Sequence, residues 1–159
     1  MSNIVEAENA HENHIDTEKV PWLPLYLIPG AFFRVYNVDE ESNVVLQSIK
    51  MPPWSKAKRH GHYCKASGYT LEGEWFNDEI SYKEGELSWE VPPEVHAPQT
   101  KEKGATILIT IVGKPGDDRL LEEHHEDGSK TLIKTRFFKA LERISLEDFE
   151  KLDLKSLLD

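Results

Sequence analysis

The chain has 159 residues, of which 38% are hydrophobic, enough for one domain with a core of its own. Its net charge of −10 repels a phosphate backbone, and no run of Lys and Arg offsets it, which argues against nucleic acid as a partner. There is no stretch of about 18 apolar residues to span a membrane as a helix, and the single cysteine, Cys64, rules out an internal disulfide and any zinc site built on several thiolates.

Residues 1–19 are polar and acidic and are expected to be loosely ordered, leaving 20–159 as a single domain. The opening Met-Ser-Asn-Ile-Val-Glu-Ala-Glu lacks the basic start and apolar run of a secretory signal, so the expected compartment is the cytoplasm. Two prolines in Trp22-Leu23-Pro24 and its flank suit an extended edge segment. Short strands are predicted at Phe32–Val38, Asn43–Met51, Lys56–His62, Gly68–Phe76, Glu79–Tyr82, Leu87–Val91 and Ala105–Val112, with Gly30, Gly73, Gly85 and Gly104 marking turns. Asp117–Lys130 reads as a charged loop, and Thr131–Phe138 as a last strand. Ser145-Leu146-Glu147-Asp148 is a capping-box pattern that starts a short C-terminal helix, the only substantial helix expected. Many short strands with frequent turns indicate an all-β, antiparallel sandwich or barrel.

The chemistry concentrates in Arg59-His60-Gly61-His62. Residues two apart on a strand share a face, so His60 and His62 aim their rings at one point, as a metal requires. By itself such a pair is common on surfaces. Its context adds weight: three residues separate His62 from Ala66 and six separate Ala66 from Gly73, while ten separate Gly85 from His96.

These spacings resemble the two motifs of the cupin superfamily, whose RmlC-like jelly-roll barrel gathers histidines in its mouth. The departures are specific. Trp54 replaces the first motif's glycine, and Ala66 stands where its glutamate ligand belongs. Val91, Pro93 and Thr100 replace the proline, glycine and asparagine of the second motif. Three histidines without that carboxylate are similar to one subfamily, which also shares Thr70-Leu71-Glu72-Gly73-Glu74-Trp75, Glu90-Val91-Pro92-Pro93-Glu94-Val95-His96 and Trp22-Leu23-Pro24. It holds the 2,4'-dihydroxyacetophenone dioxygenases, the acetylacetone-cleaving dioxygenases and the cupin domains of ChrR-like anti-sigma factors.

The resemblance implies one divalent transition metal on His60, His62 and His96. It favours Fe(II), with Zn(II) or Ni(II) taken up on purification, because open imidazole sites accept all three. Glu79, shortly after the Trp75 segment, is a candidate fourth ligand. Glu90 is a candidate acceptor for a histidine ring. Trp54 and Tyr69 are candidate pocket walls. By strand parity Thr70 faces the cavity and Lys58 its rim. The bland readings hold elsewhere: His124 and His125 belong to a solvated loop, His11 and His14 to the acidic N-terminus, and Cys64 is a small buried filler.

No residue reads as an essential nucleophile, so the metal carries the chemistry and the pocket orients the substrate. The implied activity is dioxygen-dependent carbon–carbon cleavage of a small β-diketone or hydroxyaryl ketone. Three neutral imidazoles leave the metal its full charge, which favours an anionic chelating enolate. The partners expected are this substrate and dioxygen, with a homodimer or homotetramer by analogy. The alternatives are a ChrR-like metal sensor without turnover, and a cupin isomerase or epimerase working through acid–base side chains.

Overall fold

The computed structural model describes residues 13–159. Its strands are β1 (Leu23–Pro24), β2 (Phe32–Asp39), β3 (Val44–Met51), β4 (His60–His62), β5 (Lys65–Asn77), β6 (Ile80–Lys83), β7 (Leu87–Glu90), β8 (Val95–His96), β9 (Gln99–Val112), β10 (Arg119–His124) and β11 (Lys130–Lys134). Two helices follow, α1 (Thr135–Leu141) and α2 (Leu146–Glu150).

The strands form two antiparallel sheets. The larger has seven strands in the order β1-β2-β3-β9-β5-β6, with β7 also paired to β5; the smaller runs β11-β10-β4-β8. This is the all-β, cupin-type architecture expected from the sequence. Its cause is visible in the period-2 patterning: Val45, Gln47 and Met51 on β3 and Ala105, Ile107 and Ile111 on β9 are buried and share the inner face. Gly73 and Gly104, with left-handed φ of +74° and +67°, let β5 and β9 pass where their register shifts. The core between the sheets is built on Phe33, Val35, Leu120, Ile133 and Phe137.

Three expectations need correction. The segment within Asp117–Lys130 is not simply a loop, because Arg119–His124 is strand β10, paired to β4 with Leu121 opposite His62 and Glu123 opposite His60. Its charges obscured the inner-face residues Leu121 and Glu123, both buried. The last strand ends at Lys134 rather than Phe138. From Thr135 the chain turns into α1, because Phe137, Phe138 and Leu141 are spaced to bury one helical face. A helix therefore precedes Ser145, and it is longer than the one after it.

The C-terminal cap is as read: Asp148 N–H donates to Ser145 Oγ at 3.2 Å, and Phe149, Leu157 and Leu158 pack on the core. The loosely ordered N-terminal expectation falls mainly outside the described residues, as does His11. Within them, Thr17–Lys19 forms a 3-10 turn capped by Asp16, His14 is exposed, and burial begins at Val20.

Candidate metal centre

β4 is only three residues long, and all three are buried. Its position in the smaller sheet fixes its neighbours: His60 pairs with His96 on β8, so the third histidine arrives on the adjacent strand in register. His60 and His62 share a face by parity, and the three rings meet inside the molecule at 6%, 9% and 7% exposure.

Their geometry is that of a ligand set. The His96 Nε2 lies 2.9 Å from the His62 Nε2 and 3.1 Å from the His60 Nε2. Two nitrogens each about 2.1 Å from one ion, at a right angle, stand about 3.0 Å apart. A proton on His96 Nε2 can serve one of these contacts well, whereas an ion serves all three nitrogens. The His60 Nδ1 donates to the Lys58 carbonyl at 2.8 Å, which leaves a lone pair on its Nε2. The His96 Nδ1 is buried without a hydrogen-bond partner.

Electrostatics agree. Burial, together with repulsion from the neighbouring rings, pushes His60 down to about 4 and His62 to about 3, and burial lowers His96 to about 4. All three are neutral near pH 7, the form that binds a metal. Among the described residues, these histidines form the one group of three or more His, Cys, Asp or Glu side chains whose ligand atoms lie close enough to share an ion. The donor set fits a borderline divalent metal of the Fe(II), Ni(II) or Zn(II) kind.

The carboxylate beside the triad is Glu90. Its Oε2 is 3.4 Å from His62 Nε2 and its Oε1 is 3.6 Å from His96 Nδ1. Burial, with a contribution from Glu94, pushes its pKa up to about 8. Ala66 is paired to Glu90 across β5 and β7, so the position left vacant in the first motif faces the carboxylate that stands nearby. Glu79, the candidate fourth ligand, lies exposed in the turn between β5 and β6, outside the ligand-capable group.

The other sequence candidates divide. Thr70 is fully buried and accepts a hydrogen bond from the Trp75 indole at 3.0 Å, which holds Trp75 against the site chamber. Lys58 contributes through its carbonyl. Trp54 and Tyr69 are not pocket walls: Trp54 is 73% exposed after the Pro52-Pro53 turn, and Tyr69, one residue out of phase with Gly68 and Thr70, faces outward at 45%. Cys64 is buried as expected, with its sulfur 3.9 Å from His62 Nδ1. Sequence reading missed the rest of the chamber next to the histidines. Its walls are aliphatic and aromatic, including Ile49, Ile107, Ile109, Phe137 and Phe138, and Gln47 and Tyr26 also line it. For Gln47 a signal was present, a polar residue at an inward position between Val45 and Ile49.

The sequence matches the ChrR cupin-like domain family over residues 10–113. No curated protein sequence matches the chain. Among solved structures, a putative acetylacetone dioxygenase from Methylibium petroleiphilum superimposes with a TM-score of 0.67 at 15% identity, over 78% of this chain and 89% of that one. An acetylacetone dioxygenase from Acinetobacter johnsonii gives 0.61 at 11% identity, over 75% and 80%. The Rhodobacter sphaeroides complex of SigE with the anti-sigma ChrR gives 0.52 at 16%, over 59% and 49%. At these identities the likeness is one of fold.

Proposed function

This chain belongs to the ChrR cupin-like domain family, and from that premise we propose that it is a mononuclear dioxygenase, with Fe(II) as its native metal, that cleaves a carbon–carbon bond in a small β-diketone or hydroxyaryl ketone. The observation that carries the proposal is the triad's setting: three neutral, buried imidazoles open onto an apolar chamber deep inside the domain. A bound metal would supply Lewis acidity and open positions for two neighbouring oxygens of a substrate.

The chain's own residues supply the rest. His60, His62 and His96 would hold the metal, and the Lys58 carbonyl fixes the His60 ring. The absence of a side chain beyond Cβ at Ala66 leaves space beside the triad that the common cupin glutamate would take. Ile107, Ile109 and Phe137 give a carbon skeleton an apolar bed and exclude bulk water from the reacting carbons. One dioxygen molecule supplies both oxygen atoms added to the two carbonyl products, so the cleavage needs no external reductant. The fold likeness to the Methylibium petroleiphilum and Acinetobacter johnsonii structures supports this reading.

A metal-holding sensor without turnover is the second reading, favoured by the likeness to ChrR. One experiment separates them. Protein loaded anaerobically with Fe(II) is mixed with pentane-2,4-dione or a hydroxyacetophenone, and both the charge-transfer absorption and oxygen uptake are recorded. A new band followed by stoichiometric oxygen uptake is the expected result. A metal-loaded protein that develops no band with any of these compounds moves the reading to the sensor.

A further inference from the structure

The chamber is apolar except at a few points, and two of those are not explained by the histidines. Gln47 is 4% exposed, and its Oε1 has no hydrogen-bond partner in the protein. The Tyr26 hydroxyl is likewise buried without one. Both residues line the chamber, in company with Leu25, Leu27, Ile49 and Phe137. A buried polar group left unpaired is costly, whereas an apolar side chain of similar size costs nothing there. Gln47 occupies an inward position between Val45 and Ile49 that leucine would fill.

Strand register places Gln47 across the chamber from the triad. One transverse row of the large sheet runs Val45–Ile111–Ala66–Glu90 and ends at the carboxylate that faces His62 and His96. The next row on the same face runs Gln47–Ile109–Gly68–Ser88. Gln47 thus sits on β3, three strands from β7, or about 14 Å along the sheet at the usual strand spacing. Between them Gly68 contributes no side chain, and a Cβ there would stand 2.8 Å from Ser88 Oγ and 3.1 Å from Ile107 Cγ2. The floor between the two polar ends is therefore kept low.

We propose that Gln47 forms a second recognition point in the chamber, binding a neutral hydroxyl at the end of the substrate opposite its metal-chelating oxygens. The chelating end rests on the dioxygenase reading above; the Gln47 contact is additional to it. The chemistry selects the group. The Gln47 amide both donates and accepts. No Lys or Arg lines the chamber among the described residues, so a carboxylate tail would find no counter-charge. A hydroxyl that donates to Gln47 Oε1 satisfies that orphaned acceptor.

The test uses the full chain loaded with Zn(II), which does not turn over, and reads binding by titration calorimetry. The probes are 1-phenylbutane-1,3-dione and its 3-hydroxyphenyl and 4-hydroxyphenyl analogues, identical at the chelating end. The wild type is expected to bind one hydroxylated probe about tenfold or more tighter than the phenyl probe, the worth of one or two net hydrogen bonds. Gln47→Leu should erase that preference without weakening the binding of the phenyl probe, since leucine extends the apolar wall. Equal binding of all three probes by the wild type overturns the recognition point and leaves the chelate reading standing, as does a preference that survives in Gln47→Leu. Failure of every probe to bind overturns the chelate reading, and this proposal with it. The wild-type comparison decides alone if a variant does not fold.

Discussion

Two groups of histidines lie on the same small sheet, and they differ in everything except residue type. His60, His62 and His96 occupy β4 and β8, face inward, and have their Nε2 atoms turned towards one another. His124 ends the neighbouring strand β10, and His125 follows it. There the His124 Nε2 contacts Glu122 Oε1 at 2.9 Å, while the His125 Nε2 lies 2.7 Å from Thr131 Oγ1 and its Nδ1 3.3 Å from Glu123. Each member of the outer pair has a partner of its own, and each is only part-buried. What marks a ligand set is thus the lack of any better partner for three convergent lone pairs, more than the presence of imidazole.

The sharpest way to break this comparison is to remove each side in turn. His60→Ala, His62→Ala and His96→Ala should each lose most of the bound metal in protein grown with iron and analysed by atomic emission. His124→Ala and His125→Ala should keep it. Metal that follows the outer pair instead would sink the assignment.

A smaller effect is expected one step out from the ligands. Glu90 Oε1 lies 3.6 Å from His96 Nδ1, the ring nitrogen turned away from the other two histidines, and outer partners of metal-ligating histidines typically contribute about 10- to 100-fold to affinity. Glu90→Gln keeps the shape and removes the ionisable carboxyl, which a bound cation would hold in its charged form, so a competition titration with a chromophoric chelator should show weaker Zn(II) binding within that range. Unchanged affinity would mean that the carboxylate plays no part in holding the rings.

Ala66→Glu tests the vacancy rather than the ligands. It restores the common cupin carboxylate next to Glu90, its cross-strand partner. The variant should retain metal, because an added anion attracts a cation. Oxygen uptake should fall by roughly tenfold, since the new ligand lowers Lewis acidity and occupies an open position. Turnover at or above the wild-type rate would count against the role of that open position.

How much of this was legible in the sequence follows from what pattern can encode. The triad was legible because parity on β4 and the spacing to His96 are local facts, and the resemblance supplied the pairing of their strands. Glu90 was placed as an acceptor for a histidine ring; its carboxyl lies 3.4 Å from His62 Nε2 and 3.6 Å from His96 Nδ1, and the latter nitrogen has no hydrogen-bond partner. Strand β10 was not legible, since four of its six residues are charged or His, and the strand exists because Leu120 and Leu121 are held against the core and β4. Phe137 and Phe138 looked like strand residues because an apolar run fits either element, and only the packing of α1 on β2 decides. Trp54 and Tyr69 looked like pocket walls on residue type alone, but parity and the Pro52-Pro53 turn send them outward. The chamber's depth depends on which side chains meet across two sheets, which no single segment records.

The smallest effect expected is on the pH dependence of stability in the metal-free chain, and its sign comes from two opposed sets of groups. His60, His62 and His96 have folded-state pKa values lowered to about 4, 3 and 4, against 6.5 as an ordinary value. As pH falls below about 6.5 the unfolded chain takes up protons that the folded chain refuses, so this contribution to stability is lost in acid. Glu90 runs the other way: its folded pKa is raised to about 8 from 4.5, so the folded chain keeps a proton that the unfolded chain releases, and stability is lost as pH rises towards 8. Between about pH 4.5 and 6.5 three histidines oppose one glutamate and stability climbs with pH; above about 6.5 Glu90 acts alone and it declines. Denaturant midpoints measured in a metal chelator should therefore peak near about pH 6.5. Glu90→Gln should abolish the alkaline decline, because its amide does not titrate. A metal-free wild type that grows steadily more stable from about pH 6.5 to 8 would show that Glu90 is ionised in the folded chain, and that its surroundings beside the three rings are more polar than their packing implies.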